Sequence, residues 1–297
     1  MSIKVFDANG AAIEVRIFNF KGGEVQVRVD SSHVRDYYKI RADITCSDDV
    51  MALLLVTDAL RHMDPAVKID LDLPYVPYAR QDRVMNPGEA LSIKVFCDLI
   101  NAQNYNSVFI WDPHSDVTPA LLKRVAVMPQ EKLLMCDMDL IIGELDYTKY
   151  LKSGLRRQEA GAQAYKDRMD NIVLVSPDAG ANKKIFKVAQ ECGFKHVVRA
   201  DKERNVETNE ITRTVVYSDH IGDKDFLIVD DICDGGRTFI ELAKVLRPLT
   251  NGKIILYVTH GIFSYGLGPF KGLIDEVYCA HSFGKFVENV NLMTGIE

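Results

Sequence analysis

The sequence predicts an α/β protein of two domains, each built on a mainly parallel sheet flanked by helices. Strand and helix patterns alternate through both halves of the chain, as βαβ units require. Runs such as FLIV at 226–229 and IILYV at 254–258 are apolar without alternation, the pattern of strands covered on both faces. The length of 297 residues, 47% of them apolar, suffices for about two cores at roughly 150 residues each.

The first 45 residues read as three extended stretches: Glu14 to Phe20, Glu24 to Asp30 and Ile40 to Thr45. Lys21-Gly22-Gly23 forms the turn between the first two. From Ser47 the period changes, because Val50, Leu53, Leu54, Thr57 and Leu60 recur at helical spacing; Ser47 is placed as the cap of a helix from Asp48 to Arg61. There follow a strand at Val67–Leu73, a helix at Ser92–Asn101, a strand at Ser107–Trp111 and a helix around Asp116–Arg124. The charged stretch Tyr147–Asp170 reads as a solvated helix near the domain boundary. The second half gives strands at Ile172–Val175, His196–Arg199, Thr212–Tyr217, Phe226–Val229 and Lys253–Val258, and helices at Ala181–Cys192 and Thr238–Leu246. The domains are set at 1–140 and 141–284, with 285–297 expected to pack back on the first.

Thirty-six basic against 42 acidic residues give a formal charge of −6, which supplies no general field for a nucleic acid. No apolar run approaches the roughly 20 residues of a membrane span, and the first residues lack the layout of a signal peptide. A cytoplasmic protein without membrane or nucleic-acid partners is expected. The six cysteines are widely spaced and read as reduced, mostly buried thiols rather than metal ligands.

Ligands of open α/β sheets sit beyond the carboxyl ends of strands. Four polar clusters stand there: YARQD at 78–82, DPH at 112–114, SPDAG at 176–180 and VDDICDGGRT at 229–238. In the last, Gly235, Gly236, Arg237 and Thr238 open a helix, and such a turn aims backbone N–H groups at one spot, which suits a phosphate. Asp230 and Asp231 suit vicinal hydroxyls or a hydrated magnesium ion instead, so a ligand carrying both sugar and phosphate fits the mixture. An ordinary capped turn is the plainer alternative. Three carboxylates, counting Asp234, crowded at one strand end repel one another without a partner, and this favours a ligand.

VDDICDGGRT resembles the phosphoribosyl-diphosphate fingerprint shared by type I phosphoribosyltransferases and ribose-phosphate diphosphokinases. Gly235 stands where that fingerprint carries Thr or Ser, and Arg237 where it carries Gly. YVPYARQDR at 75–83, with Ser92 and Lys94 after it, is similar to a segment of the diphosphokinases that the transferases lack. There the resemblance sets Arg80, Gln81 and Asp82 along ATP, in keeping with the fork a guanidinium offers to phosphate oxygens. Asp112 and His114 match the family's D-x-H segment, and Asp178 its aspartate near metal and ribose. Lys202 and Arg204 align with two cations of a Lys-Arg-Arg catalytic flap whose middle place is taken by Glu203; the stretch from Asp201 through Asn205 to Asn209 is read as a mobile loop. Phe20 and Glu24 match a Phe-x-Asp-Gly-Glu turn that reaches a neighbouring subunit's adenine, with Gly22 in the Asp place. Thr259-His260-Gly261 also fits, as a turn after IILYV.

The resemblance implies two phosphoribosyltransferase-like (type I) domains, the first on the ATP side and the second holding ribose 5-phosphate. It implies a magnesium-dependent transfer of diphosphate from ATP to the anomeric hydroxyl of ribose 5-phosphate, giving phosphoribosyl diphosphate and AMP, by a homo-oligomer, dimer or hexamer. In that scheme Lys202 and Arg204 are catalytic, and Phe20, Glu24, Arg80, Gln81, Asp82 and His114 bind ATP. Residues Asp230, Asp231, Asp234, Gly235, Gly236, Arg237 and Thr238 bind ribose 5-phosphate, and His114 with Asp178 holds Mg2+. A phosphoribosyltransferase, a non-catalytic regulatory homologue and a generic sugar-phosphate binder are the rivals. Neither a P-loop pattern nor a dinucleotide fingerprint occurs, so ATP would be held by dispersed side chains.

Overall fold

The computed structural model describes residues 2–32, 34–143, 145–204, 211–219, 221–283 and 291–292. The chain divides into two compact units, residues 1–129 and 130–297.

In the first unit β1 (Ile3–Asp7) and β2 (Ala12–Ile13) precede a hairpin of β3 (Val15–Asn19) and β4 (Val25–Val29). After β5 (Tyr37–Ala42) the chain alternates: α1 (Ser47–Met63), β6 (Lys68–Leu73), α2 (Ser92–Ala102), β7 (Ser107–Trp111), α3 (Val117–Leu121) and β8 (Val125–Met128). Among the described residues the sheet runs β2-β1-β5-β6-β7-β8, with β5 to β8 parallel and β1 antiparallel to both its neighbours. Ile3, Ile40, Leu53, Leu71, Phe96 and Ile110 form the centre of its core. Ser47 turns out to be the first helical residue of α1 rather than its cap. Asp49 does the capping work, its carboxylate accepting the N–H groups of Thr45 at 2.8 Å and Cys46 at 3.2 Å. The helix expected around 116–124 is confined to α3.

The second unit opens with α4 (Gln130–Ile142), so its start precedes the sequence-based boundary at 140. The charged stretch 147–170 forms two helices, α5 (Thr148–Lys152) and α6 (Arg157–Asp170). Then come β9 (Ile172–Ser176), α7 (Asn182–Cys192), β10 (Val197–Arg204), β11 (Ile211–Val216), β12 (Asp225–Cys233), α8 (Arg237–Leu246), β13 (Ile254–Gly261), β14 (Glu276–Ser282) and β15 (Asn291–Leu292). The sheet order is β11-β10-β9-β12-β13-β14-β15 among the described residues, parallel except for the β10–β11 pair. Asn291 and Leu292 thus pair within this unit; most of 285–297 lies outside the described residues.

Two strands outrun their sequence-based ends. β12 continues through the aspartates to Cys233 because β13 remains its partner, with Asp230 opposite Val258 and Cys233 opposite Gly261. For the same reason Thr259, His260 and Gly261 belong to β13 and do not form a turn. Strand order departs from chain order around β9, whose successors β10 and β12 lie on opposite sides of it. That reversal opens a crevice at the carboxyl ends of β9 and β12.

Beside this crevice, glycines and aromatic rings interlock. A Cβ on Gly261 would collide with the fully buried ring of Phe263, and one on Gly236, whose φ is +75°, with the buried ring of Phe270. The two rings meet edge to face, centroids 6.4 Å apart. All six cysteines are free: Cys97, Cys233 and Cys279 are buried, Cys192 half-buried, and Cys46 and Cys136 exposed. Among the described residues no helix is long and apolar enough to cross a membrane.

Gly261→Ala is expected to destabilise the fold by about 1–3 kcal/mol, through overpacking against Phe263. Thermal unfolding reads this as a drop of several degrees, and an unchanged midpoint would show that Phe263 can yield.

Candidate functional site

The second unit gathers carboxylates at the crevice. β9 pairs with β12 only as far as Val175 opposite Ile228, so Asp230 and Asp231 lie on a part of β12 that has outrun its β9 neighbour. Asp178 follows the end of β9, with its Oδ1 accepting the N–H of Ala181 at 3.1 Å ahead of α7, and Ser176 Oγ donating to the Asp178 carbonyl at 3.1 Å. Asp178 thus holds the loop ahead of α7 without capping the helix, whose N-cap is Ala181, and its charge also acts on Asp230. The Asp230 carboxyl is enclosed although the residue as a whole is partly exposed. It is pushed well above the usual carboxylate range, by loss of water first and then by the Asp231 and Asp178 charges, while the Asp231 N–H, donating to it at 2.9 Å, pulls the other way. Asp231 is 8% exposed, and Lys184 Nζ of α7 stands 4.0 Å from its Oδ2. Lys184 escaped the sequence reading because it reaches the aspartates only through space, from a helix whose lysines look like a solvated face.

The glycine turn follows. Asp234 binds Ser264 through both main chain and side chain: its carbonyl accepts the Ser264 N–H at 3.3 Å and its Oδ1 the Ser264 hydroxyl. Gly236 caps α8 in the left-handed region, Arg237 is exposed at the first helical position, and Thr238 follows it. A helix leaves its first N–H groups without intrahelical acceptors, so this turn offers donors and Asp178, Asp230 and Asp231 offer acceptors. Gly235 has an ordinary φ, and a Cβ there would lie 2.9 Å from the ring of Tyr265.

The stretch expected to be a mobile loop from Asp201 is a strand as far as Arg204. Lys202 pairs with Thr214 and Arg204 with Ile211, and the β-branched residues of ITRTVV supply a ladder partner that the charges of DKER conceal in the sequence. β10 pairs with β9 only to Arg199 opposite Ser176, so Lys202 and Arg204 sit on a two-stranded ribbon that continues beyond the end of β9. Asn205 to Asn209 lie outside the described residues.

In the first unit Arg80 and Gln81 are exposed after β6. A turn in which the Gln81 N–H donates to the Tyr78 carbonyl at 2.8 Å holds them, with Tyr78 at φ 64° and Ala79 buried. Asp82 is half-buried, its Oδ1 3.6 Å from Arg83 Nε. Asp112 is buried with a strained φ of 33° at the end of β7, its N–H donating to the Met128 carbonyl at 2.8 Å, and His114 is half-buried two residues on. Behind them Arg41 lies 4.8 Å over the Trp111 ring and donates to Asp72 at 3.2 Å, which stiffens the ends of β5, β6 and β7. Phe20, 53% exposed, and Glu24 stand together at the β3–β4 tip. The Phe20 N–H donates to the Glu24 carbonyl at 2.8 Å, and the φ of +92° at Gly23 demands glycine. At Gly22 a Cβ would meet nothing closer than 4.0 Å, so no steric need explains glycine there.

Among the described residues no group of three or more His, Cys, Asp or Glu side chains forms a metal cage. Magnesium seldom needs one, since it binds through one or two carboxylates and completes its shell with phosphates and water. The crowding of Asp178, Asp230 and Asp231 suits a hydrated divalent cation.

The raised Asp230 carboxyl sets a pH dependence. A carboxyl whose folded-state value lies above its unfolded one favours folding below about pH 4 and loses that contribution as the pH rises through its folded value. Asp230→Asn removes the effect, so its melting temperature relative to wild type is expected to climb between pH 4 and 7 in metal-free buffer. A difference independent of pH would show that Asp230 ionises freely.

Comparison with known proteins bears on the whole arrangement. A family model for the N-terminal domain of ribose phosphate pyrophosphokinase matches residues 7–103. The ribose-phosphate pyrophosphokinase of Aquifex aeolicus is 30% identical over 253 residues, covering 84% of this chain and 71% of the relative. That of Pyrococcus abyssi is 28% identical over 287 residues, covering 96% and 90%. The crystal structure of phosphoribosylpyrophosphate synthetase from Mycobacterium smegmatis superposes with a TM-score of 0.69 at 24% identity, over 91% of this chain and 81% of that one, and so shares the fold. With two α/β units, a carboxylate-lined crevice and relatives matched over most of their length, the chain belongs to the ribose-phosphate pyrophosphokinase family.

Proposed function

We propose that the protein is itself a ribose-phosphate diphosphokinase, moving the β,γ-diphosphoryl group of ATP onto the anomeric oxygen of ribose 5-phosphate with release of AMP. The observation that carries this reading is the pairing, at one strand-end crevice, of the acceptors Asp178, Asp230 and Asp231 with the helix-opening turn Gly235–Thr238. A phosphorylated sugar needs both: donors for its phosphate and acceptors for its hydroxyls.

In this scheme Asp230 and Asp231 take the ribose hydroxyls, and the turn from Asp234 to Thr238 takes the 5-phosphate with Arg237 adding charge. Arg80, Gln81, Asp82 and His114 hold ATP, and Phe20 with Glu24 serves the adenine of a neighbouring copy, so that activity depends on a homo-oligomer. Asp178 would be a ligand of magnesium, which when bound would neutralise the triphosphate. The anomeric oxygen forms a bond to the β-phosphorus as the bond from that phosphorus to the α,β-bridging oxygen breaks. The hydroxyl proton leaves to solvent and AMP carries away the bridging oxygen. Such a transfer asks the protein mainly for alignment and for cations facing the charge that builds on bridging and leaving oxygens. Lys202 and Arg204 are those cations. The cytoplasm is the proposed setting.

Incubation with magnesium, ATP and ribose 5-phosphate is expected to yield AMP together with an acid-labile ribosyl diphosphate; AMP without the sugar product would mean hydrolysis only, and would defeat the proposal. Lys202→Ala and Arg204→Ala are each expected to lower kcat by roughly 10²–10³ with a smaller change in ribose 5-phosphate affinity. Near-normal turnover in both would remove the ribbon from the mechanism. Asp231→Asn is expected to weaken ribose 5-phosphate more than ATP in calorimetric titration, and equal losses would refute the division of labour.

A further inference from the structure

The segment after β13 presses a large exposed ring against the phosphate turn. Its backbone is pinned there: Ile262 and Phe263 donate to the Cys233 carbonyl at 2.8 and 3.1 Å, Ser264 to the Asp234 carbonyl at 3.3 Å, and Gly266 to the Phe263 carbonyl at 2.8 Å. Phe263 holds a φ of 49° and Gly266 one of 64°, so the turn between them is tight. Tyr265 sits on this pinned backbone and is nevertheless 77% exposed, far more than a structural aromatic needs. Its ring edge covers Gly235. The ring carbon nearest a Cβ at that position is Cε2, at 2.9 Å, with Cδ2 at 3.2 Å, and Cε2 neighbours the carbon that bears the hydroxyl. The ring is thus set side-on to Gly235, with its remaining atoms, the hydroxyl included, more than 4 Å from that Cβ position.

Resting on the ribose 5-phosphate reading above, we infer that Tyr265 is a ligand-binding residue of the sugar-phosphate subsite, its phenol supplying the hydroxyl donor that glycine at 235 cannot. The space over Gly235 holds either a side chain at 235 or the ring of Tyr265, but not both. Gly235 has an ordinary φ, so a side chain there meets no backbone strain, and Tyr265 is exposed enough to swing aside. A side chain at 235 therefore leaves the fold intact and evicts the ring.

The experiment is a titration of the full-length protein with ribose 5-phosphate and, separately, with ATP. Tyr265→Phe, which keeps the ring and loses the hydroxyl, is expected to weaken ribose 5-phosphate roughly 10–100-fold, the scale of one hydrogen bond to a charged group, and to leave ATP within about twofold. Tyr265→Ala is expected to cost more, and neither should move the melting temperature. Gly235→Ser is expected to weaken ribose 5-phosphate by displacing the ring, and to weaken it much less when combined with Tyr265→Ala, because the serine then occupies the vacated space; such non-additivity is the signature of two groups sharing one place. Wild-type affinity in both Tyr265 variants, alongside loss in Asp231→Asn, would make the tyrosine a bystander and leave the ribose 5-phosphate reading standing. Equal weakening of ATP would also overturn the inference. Failure of the wild-type protein to take up ribose 5-phosphate at all would bring down that reading and this one together.

Discussion

Charge crowding at the end of β12 governs the second unit. Asp230 and Asp231 are adjacent on a strand, their carboxyls act on each other, and further charges stand close by, Asp178 by Asp230 and Lys184 by Asp231. Burial and neighbouring charge raise the Asp230 carboxyl, and Lys184 stands near Asp231. The strand can carry this load because β13 keeps its backbone paired to Cys233 after β9 has ended.

Much of the fold was legible in the sequence because both sheets are mostly parallel and the central strands of the second carry uninterrupted apolar runs. Ser107–Trp111 was read with its true ends, and the strand-end clusters stand at or just beyond those runs. What escaped was decided by partners rather than by local pattern. β10 runs on through Asp201 to Arg204 because β11 pairs with it, although DKER has no preference for a strand. β14 reads EVYCAHS, neither alternating nor wholly apolar, and is a strand because it lies beside β13. α4 was missed because its carboxylates Glu131 and Asp137 disguise a buried face: Glu131 meets Lys187 at 2.6 Å, and Asp137 accepts the hydroxyl of Tyr257 at 2.9 Å.

The candidate site shows the same division. Residues that lie in one short segment, such as Asp230 to Thr238 or Arg80 to Asp82, could be found by spacing. Lys184 and Tyr265 could not, since each reaches the glycine turn or its aspartates from another element. A departure inside a motif was the available signal: glycine at 235 hinted that something else fills that space, without saying what. At Gly22 the structure offers no such account, since the hairpin tip leaves room for a side chain.

The wedge of Gly236, Gly261, Phe263 and Phe270 joins the start of α8 to the end of β13 through rings and hydrogen-sized gaps. The start of α8 and the end of β13 are in this way fastened to each other. An evolving descendant could re-aim the aspartates or retune Tyr265 one substitution at a time, whereas these glycines and phenylalanines would have to change in concert. The mutable and the immutable parts of the crevice are thereby kept apart, in a chain that can alter its preferences without loosening its frame.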